Sequence, residues 1–222
     1  MMSNKSHLPD LASPARAWMR LPSGRRLDLI SPSPEAWTDE DLAVRLARTF
    51  RWGGESCWPR PLSVAQHSLA VLQLTEQLTS QMQPAALSKD RALRELLHDA
   101  EEAFLGFDCI SPLKRALGQP FADVSQRLMS AVAVRYRLPE WTGEDHAVHK
   151  TADSIIAATE AAHVVGWNVH EILDVLGIEW MPLDADPLVA VYGGTAWEPW
   201  PVDVAAARFL AAMRWCGVAE AG

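Results

Sequence analysis

The chain has 222 residues, 49% hydrophobic and 22% charged, with a formal charge of −8 at pH 7. That is long enough for one globular domain whose core needs no disulfide support, and the acidic balance without any Lys/Arg run argues against long nucleic acid as a partner. Cys57, Cys109 and Cys216 are widely spaced and form no Cys-x-x-Cys, so neither a disulfide framework nor a thiolate zinc site is indicated and a reducing compartment is expected.

Residues 1–14 read as a disordered lead rich in Ser, Pro and polar groups, with no apolar segment of signal length, and residues 15–222 as a single domain. No run approaches the roughly 20 apolar residues of a membrane span, so a cytoplasmic protein without membrane contact is expected. Trp18-Met19-Arg20-Leu21 and Arg26-Leu27-Asp28-Leu29-Ile30 flank Pro22-Ser23-Gly24, which predicts a short β-hairpin within about 16–30. Ser31-Pro32-Ser33-Pro34 breaks the chain. Thr38 then offers a helix N-cap with Asp39, Glu40 and Asp41 in the first turn, and the helix continues over 42–50 with Arg51-Trp52 at its end. Gly53-Gly54 opens a loop, and further helices are expected at about 63–80, 88–105, 120–137, 145–166 and 168–176. Residues 178–201 are rich in Pro, Gly, Trp and Asp and read as a long ordered loop laid on the core by Trp180, Trp197 and Trp200. A last helix over about 202–216 completes an all-α bundle with a short N-terminal β-hairpin.

The chemistry concentrates in Leu96-Leu97-His98-Asp99-Ala100-Glu101-Glu102-Ala103-Phe104. Leu93, Leu96, Leu97, Ala100, Ala103 and Phe104 recur at the helical period, placing an acidic cluster on a buried helix. With about 100° per residue, Glu102 falls between His98 and Asp99 one turn on, a suitable place for a general acid or base that is not itself a ligand. Glu101 points away and is expected to be structural or exposed. Adjacent residues on a helix do not face each other, so His98-Asp99 needs partners from elsewhere. His67, in Gln66-His67-Ser68, and Asp153, in Lys150-Thr151-Ala152-Asp153, are the polar residues embedded in small and apolar helical sequence that can supply them.

The order His67, His98-Asp99, Asp153 on separate helices resembles the HD-domain superfamily of metal-dependent phosphohydrolases, with the nearest likeness to the bacterial 5′-deoxynucleotidases and related HD-family hydrolases. The likeness runs from about 45 to 167, within a core of about 42–176. It includes Arg51-Trp52, Leu97-His98-Asp99-Ala100-x-Glu102, Ser111-Pro112-Leu113-Lys114 and Lys150-x-Ala152-Asp153. Phe107 intervenes between Gly106 and Asp108 where the family pattern goes directly to aspartate, and Ser111-Pro112 replaces a threonine-proline. The ppGpp-hydrolase branch carries an aspartate at the position of Ala103, so that branch is disfavoured.

The resemblance implies that His67, His98, Asp99 and Asp153 hold one divalent metal and that Glu102 orients or deprotonates a water. Imidazole and carboxylate donors without thiolate suit Mn²⁺, Co²⁺ or Fe²⁺, with Mg²⁺ and Zn²⁺ also open, and the family likeness points to Mn²⁺ or Co²⁺. It further assigns Arg51 and Lys114 to phosphate, Trp52 to packing on the sugar and Asp108 to a sugar contact. Local sequence reads the same residues as a surface helix cap, a solvated lysine and a core tryptophan. His149, one turn before Asp153, is a candidate to support the ligands, while His146, His163 and His170 read as structural. The expected activity is removal of phosphate from nucleoside 5′-monophosphates, deoxyribonucleotides above all. A triphosphohydrolase releasing tripolyphosphate and a non-catalytic nucleotide-binding regulator are the alternatives, and a homodimer is compatible with any of them.

Overall fold

Thr38 opens the helical part of the chain through a reciprocal cap. Its side-chain oxygen accepts from the Asp41 amide, and Asp41 accepts from the Thr38 amide. The computed structural model describes residues 17–82 and 86–219, so the expected lead over 1–14 lies outside the described residues. Ahead of the cap, β1 (Trp18–Arg20) and β2 (Arg26–Asp28) pair antiparallel, with Trp18 opposite Asp28 and Arg20 opposite Arg26. The hairpin is tied down at its tip, where the Ser23 amide and hydroxyl both donate to the Asp41 carboxylate at 2.7 Å.

Among the described residues the remaining regular elements are helices: α1 (Asp39–Arg48), α2 (Val64–Met82), α3 (Lys89–Leu96), α4 (Glu102–Leu105), α5 (Ser111–Leu117), α6 (Gln119–Tyr136), α7 (Gly143–Glu160), α8 (Val169–Asp174), α9 (Val189–Tyr192) and α10 (Val202–Trp215), with short 3₁₀ and π turns beside them. The fold is all-α with an N-terminal β-hairpin. None of these helices is long and apolar enough to cross a membrane.

The central element is α2, which packs against α1, α3, α7 and α10. Every residue from Val64 to Leu72 is buried, and a helix buried all round forces its polar members to find partners or a task. Gln66 has partners: its amide donates to the Glu198 carbonyl at 3.1 Å and accepts from the Trp200 amide at 2.8 Å. This clamp, with Trp197 stacked on His163 at 4.8 Å, explains why residues 178–201 lie ordered on the core; within them the short α9 was not expected. The neighbour of Gln66 is His67. Trp37 and Phe104, both fully buried and 4.8 Å apart, fill the core alongside Leu42, Leu46, Leu69, Leu96, Leu97 and Phe209.

The expected continuous helix over 88–105 is not formed. After α3, the amides of His98, Ala100, Glu102 and Ala103 bond carbonyls three residues back rather than four, so tight turns separate α3 from α4. A physical cause is visible at the break. The His98 ring donates from Nδ1 to the Glu95 carbonyl at 2.7 Å, an oxygen the helix would otherwise give to a later amide. The segment 111–117, which carries the Ser111-Pro112-Leu113-Lys114 motif and lies outside the expected helices, is also a helix, begun by a proline in its first turn. The expected helix over 145–166 is α7 followed by one widened π turn, Ala161–Val165.

Candidate metal centre

The chain reverses after α1. Phe50 bridges to Ser63, the Arg51 amide donates to the Leu62 carbonyl at 2.9 Å, and the Val64 amide to the Thr49 carbonyl at 2.9 Å. Arg51 and Trp52 are thereby placed beside the start of α2, one turn from His67. Trp52 adopts a left-handed backbone, φ 57°, followed by Gly53 at 63° and Gly54 at 88°. A bulky residue rarely sits there, and such outliers are held by surrounding structure.

Three elements converge on one point: α2 with His67, the turns after α3 with His98 and Asp99, and α7 with Asp153. Single ligand atoms of His67, His98 and Asp153 all lie within 4.8 Å of one another. Asp99 Oδ2 is 3.2 Å from His98 Nε2 and 3.8 Å from His67 Nε2, and Asp153 Oδ1 is 3.4 Å from His67 Nε2. Donors about 2.0–2.2 Å from a shared ion would stand about 3–3.5 Å apart, so these carboxylate–imidazole distances are close to metal-holding ones, although the group whose ligand atoms all lie close together is His67, His98 and Asp153, without Asp99. The stronger sign is what the imidazoles lack. His67 Nε2 and His98 Nε2 are buried with no hydrogen-bond partner among the described residues, a costly condition that a metal ion would relieve.

The opposite nitrogen of each ring is firmly held. His67 Nδ1 meets Glu160 Oε1 at 2.7 Å and His98 Nδ1 meets the Glu95 carbonyl at 2.7 Å, the arrangement that turns Nε2 outward as a ligand. His149 lies edge-on to His98 with centroids 4.8 Å apart, stacks on Trp141 at 4.7 Å, and its Nδ1 bonds the buried Glu95 carboxylate at 2.8 Å. It buttresses His98.

Glu102 is 1% exposed; Lys114 Nζ donates to its Oε1 at 3.3 Å and Oε2 has no hydrogen-bond partner among the described residues. Glu101 is also buried and accepts from the Ser125 hydroxyl at 3.2 Å, against α6. The separation between the two glutamates was argued from a continuous helix that does not exist, and their different surroundings come instead from the turn geometry. Arg51 is enclosed by carboxylates, Nη1 3.3 Å from Asp108 and Nε 3.1 Å from Glu160. Trp52 Nε1 donates to the same Glu160 oxygen at 3.1 Å, and its ring packs on Ala158, Ala161 and Ile172. Arg51 and Trp52 thus meet His67 through Glu160, which bonds all three, while Asp108 pairs with Arg51 and Lys114 with Glu102. Lys150, 3.2 Å from Asp153, adds an exposed cation at the rim.

Electrostatics follows this crowding. Burial and the Arg51 charge push the His67 imidazole down, yet Glu160 and Asp153 carry it up to about 10. His98 is raised too, with Asp99 overcoming burial. Burial alone would raise Asp99 and Asp153, but the imidazoles hold both well below the usual carboxylate range. Glu102 is pushed up to about 9, first by burial and then by the Asp99 and Asp108 charges. The upward shift of both histidines comes from the carboxylates crowded around them.

Sequence reasoning missed Glu160 and Glu95. Glu160 lies seven residues after Asp153, two turns along α7 on the same face, a spacing that could have flagged it. Glu95 carried no signal beyond lying three residues before His98.

The fold and this convergence define a helical protein with a His–His–Asp group of metal-holding spacing. No family model matches the chain. A protein of Rhodobacter capsulatus, described only as uncharacterized, is 39% identical over 163 residues, which cover 73% of this chain and 80% of that one. The chain belongs to the same family as that protein.

Proposed function

We propose that this protein is a metal-dependent phosphohydrolase of the HD type, which removes phosphate from nucleoside 5′-monophosphates and prefers deoxyribonucleotides. The observation that carries the reading is the pair of buried Nε2 atoms that form no hydrogen bond of good geometry among the described residues yet face Asp153 and Asp99 at 3.4 and 3.2 Å. His67, His98, Asp99 and Asp153 would hold the ion; two imidazoles and two carboxylates suit a divalent transition ion, and the HD likeness favours Mn²⁺ or Co²⁺. A divalent ion there would supply a water of lowered pKa and draw charge from a phosphoryl oxygen.

The remaining steps belong to the chain. Glu102, with one oxygen unpartnered among the described residues, orients the attacking water; burial and the Asp99 and Asp108 charges push its carboxyl up, and a cation held by the neighbouring donors would lower it again, so that the ionised form takes the proton. The water oxygen bonds to phosphorus, the bond from phosphorus to the sugar oxygen breaks, and the proton ends on the departing alcohol. Arg51 steadies the phosphate with the guanidinium edge not engaged by Asp108 and Glu160, and Lys114 approaches from the Glu102 side. Trp52 limits the room beside the sugar.

A monoester suits this site better than a triphosphate. Each cation close to the ligands is already paired: Arg51 with Asp108 and Glu160, Lys114 with Glu102, Lys150 with Asp153. Little positive charge is left for a longer phosphate chain. Incubating Mn²⁺- or Co²⁺-loaded protein with a panel of nucleoside mono- and triphosphates, and reading products by ³¹P NMR, tests this. Inorganic phosphate from monophosphates is expected; tripolyphosphate would move the assignment to a triphosphohydrolase, and binding without turnover to a regulator.

A further inference from the structure

We infer that Glu160 is the positioning residue that joins the metal half of the site to the anion half, so that removing it weakens both together. The anion half of this statement rests on the phosphohydrolase reading above. Glu160 is buried at the end of α7, where one oxygen meets His67 Nδ1 at 2.7 Å and the other accepts from Arg51 Nε and Trp52 Nε1, each at 3.1 Å. All three partners are N–H donors. A carboxylate has acceptor sites for all of them. A glutamine does not, because its NH₂ end must face either the histidine donor or the arginine and tryptophan donors.

Two independent features show the rest of the chain arranged around this contact. The π turn Ala161–Val165 that follows Glu160 accepts the Cys57 amide on the Val164 carbonyl at 2.7 Å and the Trp58 indole on the His163 carbonyl at 3.1 Å. The segment bearing Arg51 and Trp52 is therefore pinned to the end of α7 by backbone as well as by side chain. Trp52 also holds a left-handed backbone while its indole reaches Glu160, and π turns and backbone outliers of this kind collect at functional sites.

The consequences are geometric. With Nδ1–H engaged, His67 presents Nε2 to the cluster. With Nε on Glu160 and Nη1 near Asp108, the plane of the Arg51 guanidinium is fixed and Nη2 is its remaining edge. Because α7 also carries Asp153, one rigid helix sets a metal ligand and, two turns on, the residue that aims both His67 and Arg51.

The test is Glu160→Gln in the full-length protein, with Co²⁺ affinity followed through the visible absorption of the bound ion and inorganic phosphate affinity measured by calorimetry at saturating Co²⁺. Loss of such an outer partner typically weakens metal binding by about 10–100-fold, and phosphate binding should weaken in the same variant even when the metal site is full. Thr159→Ala, which removes a neighbouring buried hydroxyl that donates to the Ile155 carbonyl and accepts from the Leu183 amide, is the control for stability alone and should leave both affinities unchanged. Co²⁺ affinity within about twofold of wild type in Glu160→Gln overturns the proposal, as does intact phosphate affinity at saturating Co²⁺. Should Glu160→Gln fail to fold, ¹⁵N histidine spectra of the Zn²⁺-loaded wild type decide the metal half: a protonated Nδ1 on His67 supports it, and a protonated Nε2 refutes it. If wild type with Co²⁺ binds no phosphate, the phosphohydrolase reading and the coupling both fall, while the Co²⁺ titration still judges Glu160 as the orienting partner of His67.

Discussion

Arg51→Ala should destabilise the metal-free protein as well as slow it. The Arg51 side chain is 12% exposed and its two partners, Asp108 and Glu160, are each 6% exposed, so truncation leaves two nearly buried carboxylates without their cation. Breaking a buried ion pair by removing one partner costs about 3–5 kcal/mol. Glu160 keeps His67 and Trp52 as donors, which places the expected loss near the lower end, about 3 kcal/mol. For a chain of this length that corresponds to a fall in Tm of about 6–12 °C. Arg51→Lys should recover only part of it, since a single ammonium cannot reach both carboxylates in the planar geometry a guanidinium provides. Adding Asp108→Asn to Arg51→Ala should recover part as well, because the stranded charge is gone. The deficit should shrink on acidification: Glu160 is held below the usual carboxylate range by His67 and Arg51 against the effect of burial. It therefore contributes stability above its unfolded pKa, lost as pH falls through the folded one. Urea denaturation followed by circular dichroism with chelator present measures all of this. An Arg51→Ala protein within about 0.5 kcal/mol of wild type, the range of an ordinary surface substitution, would refute the reasoning.

Glu102→Ala should retain metal and lose about 10²–10⁴-fold in turnover, whereas Glu101→Ala, whose carboxylate is engaged by Ser125 on α6, should keep its turnover; steady-state kinetics with metal analysis separates them, and equal behaviour would remove Glu102 from its role. Metal binding should release protons near neutral pH, because His67 is carried up to about 10 in the metal-free site and a ligating imidazole must give up its proton. Apparent Co²⁺ affinity should rise about tenfold per pH unit for each proton displaced, and calorimetry in buffers of different ionisation enthalpy that shows no proton release would contradict it. Gly166→Ala should cost about 1–2 kcal/mol, since Gly166 has φ +89° and an added Cβ would stand 2.8 Å from Cys57 Sγ; an unchanged Tm would show that the turn adapts.

What could be read from the sequence was what local chemistry determines. The Thr38 cap, the hairpin around Pro22-Ser23-Gly24 and the helical period of α2, α6 and α10 are set by residues within a few positions of each other, and they lie where they were expected. His67, His98 and Asp153, which the structure brings together, stood out because histidine and aspartate in otherwise apolar helices need a reason to be there, and it was the HD resemblance that joined them with Asp99 into one candidate set. The break between α3 and α4 was not legible: Leu93, Leu96, Leu97, Ala100 and Phe104 keep an unbroken apolar period through it, and the cause is the His98 ring bonding the Glu95 carbonyl. Glu160 was hidden for a related reason. A glutamate near a helix end is ordinary in sequence, and only the packing of α7 on α2 and on residues 51–58 turns it into the shared acceptor of three side chains.

The central claim is tested most directly by phosphate release from a deoxyribonucleoside 5′-monophosphate, measured on wild type and His98→Ala alongside the metal content of each. The account predicts that wild type holds about one equivalent of Mn²⁺ or Co²⁺ on its four donors and releases phosphate, that a chelator stops the release and added metal restores it, and that His98→Ala has lost both metal and activity. A His98→Ala protein that keeps its full metal complement, or a metal-loaded wild type that releases no phosphate, would contradict it.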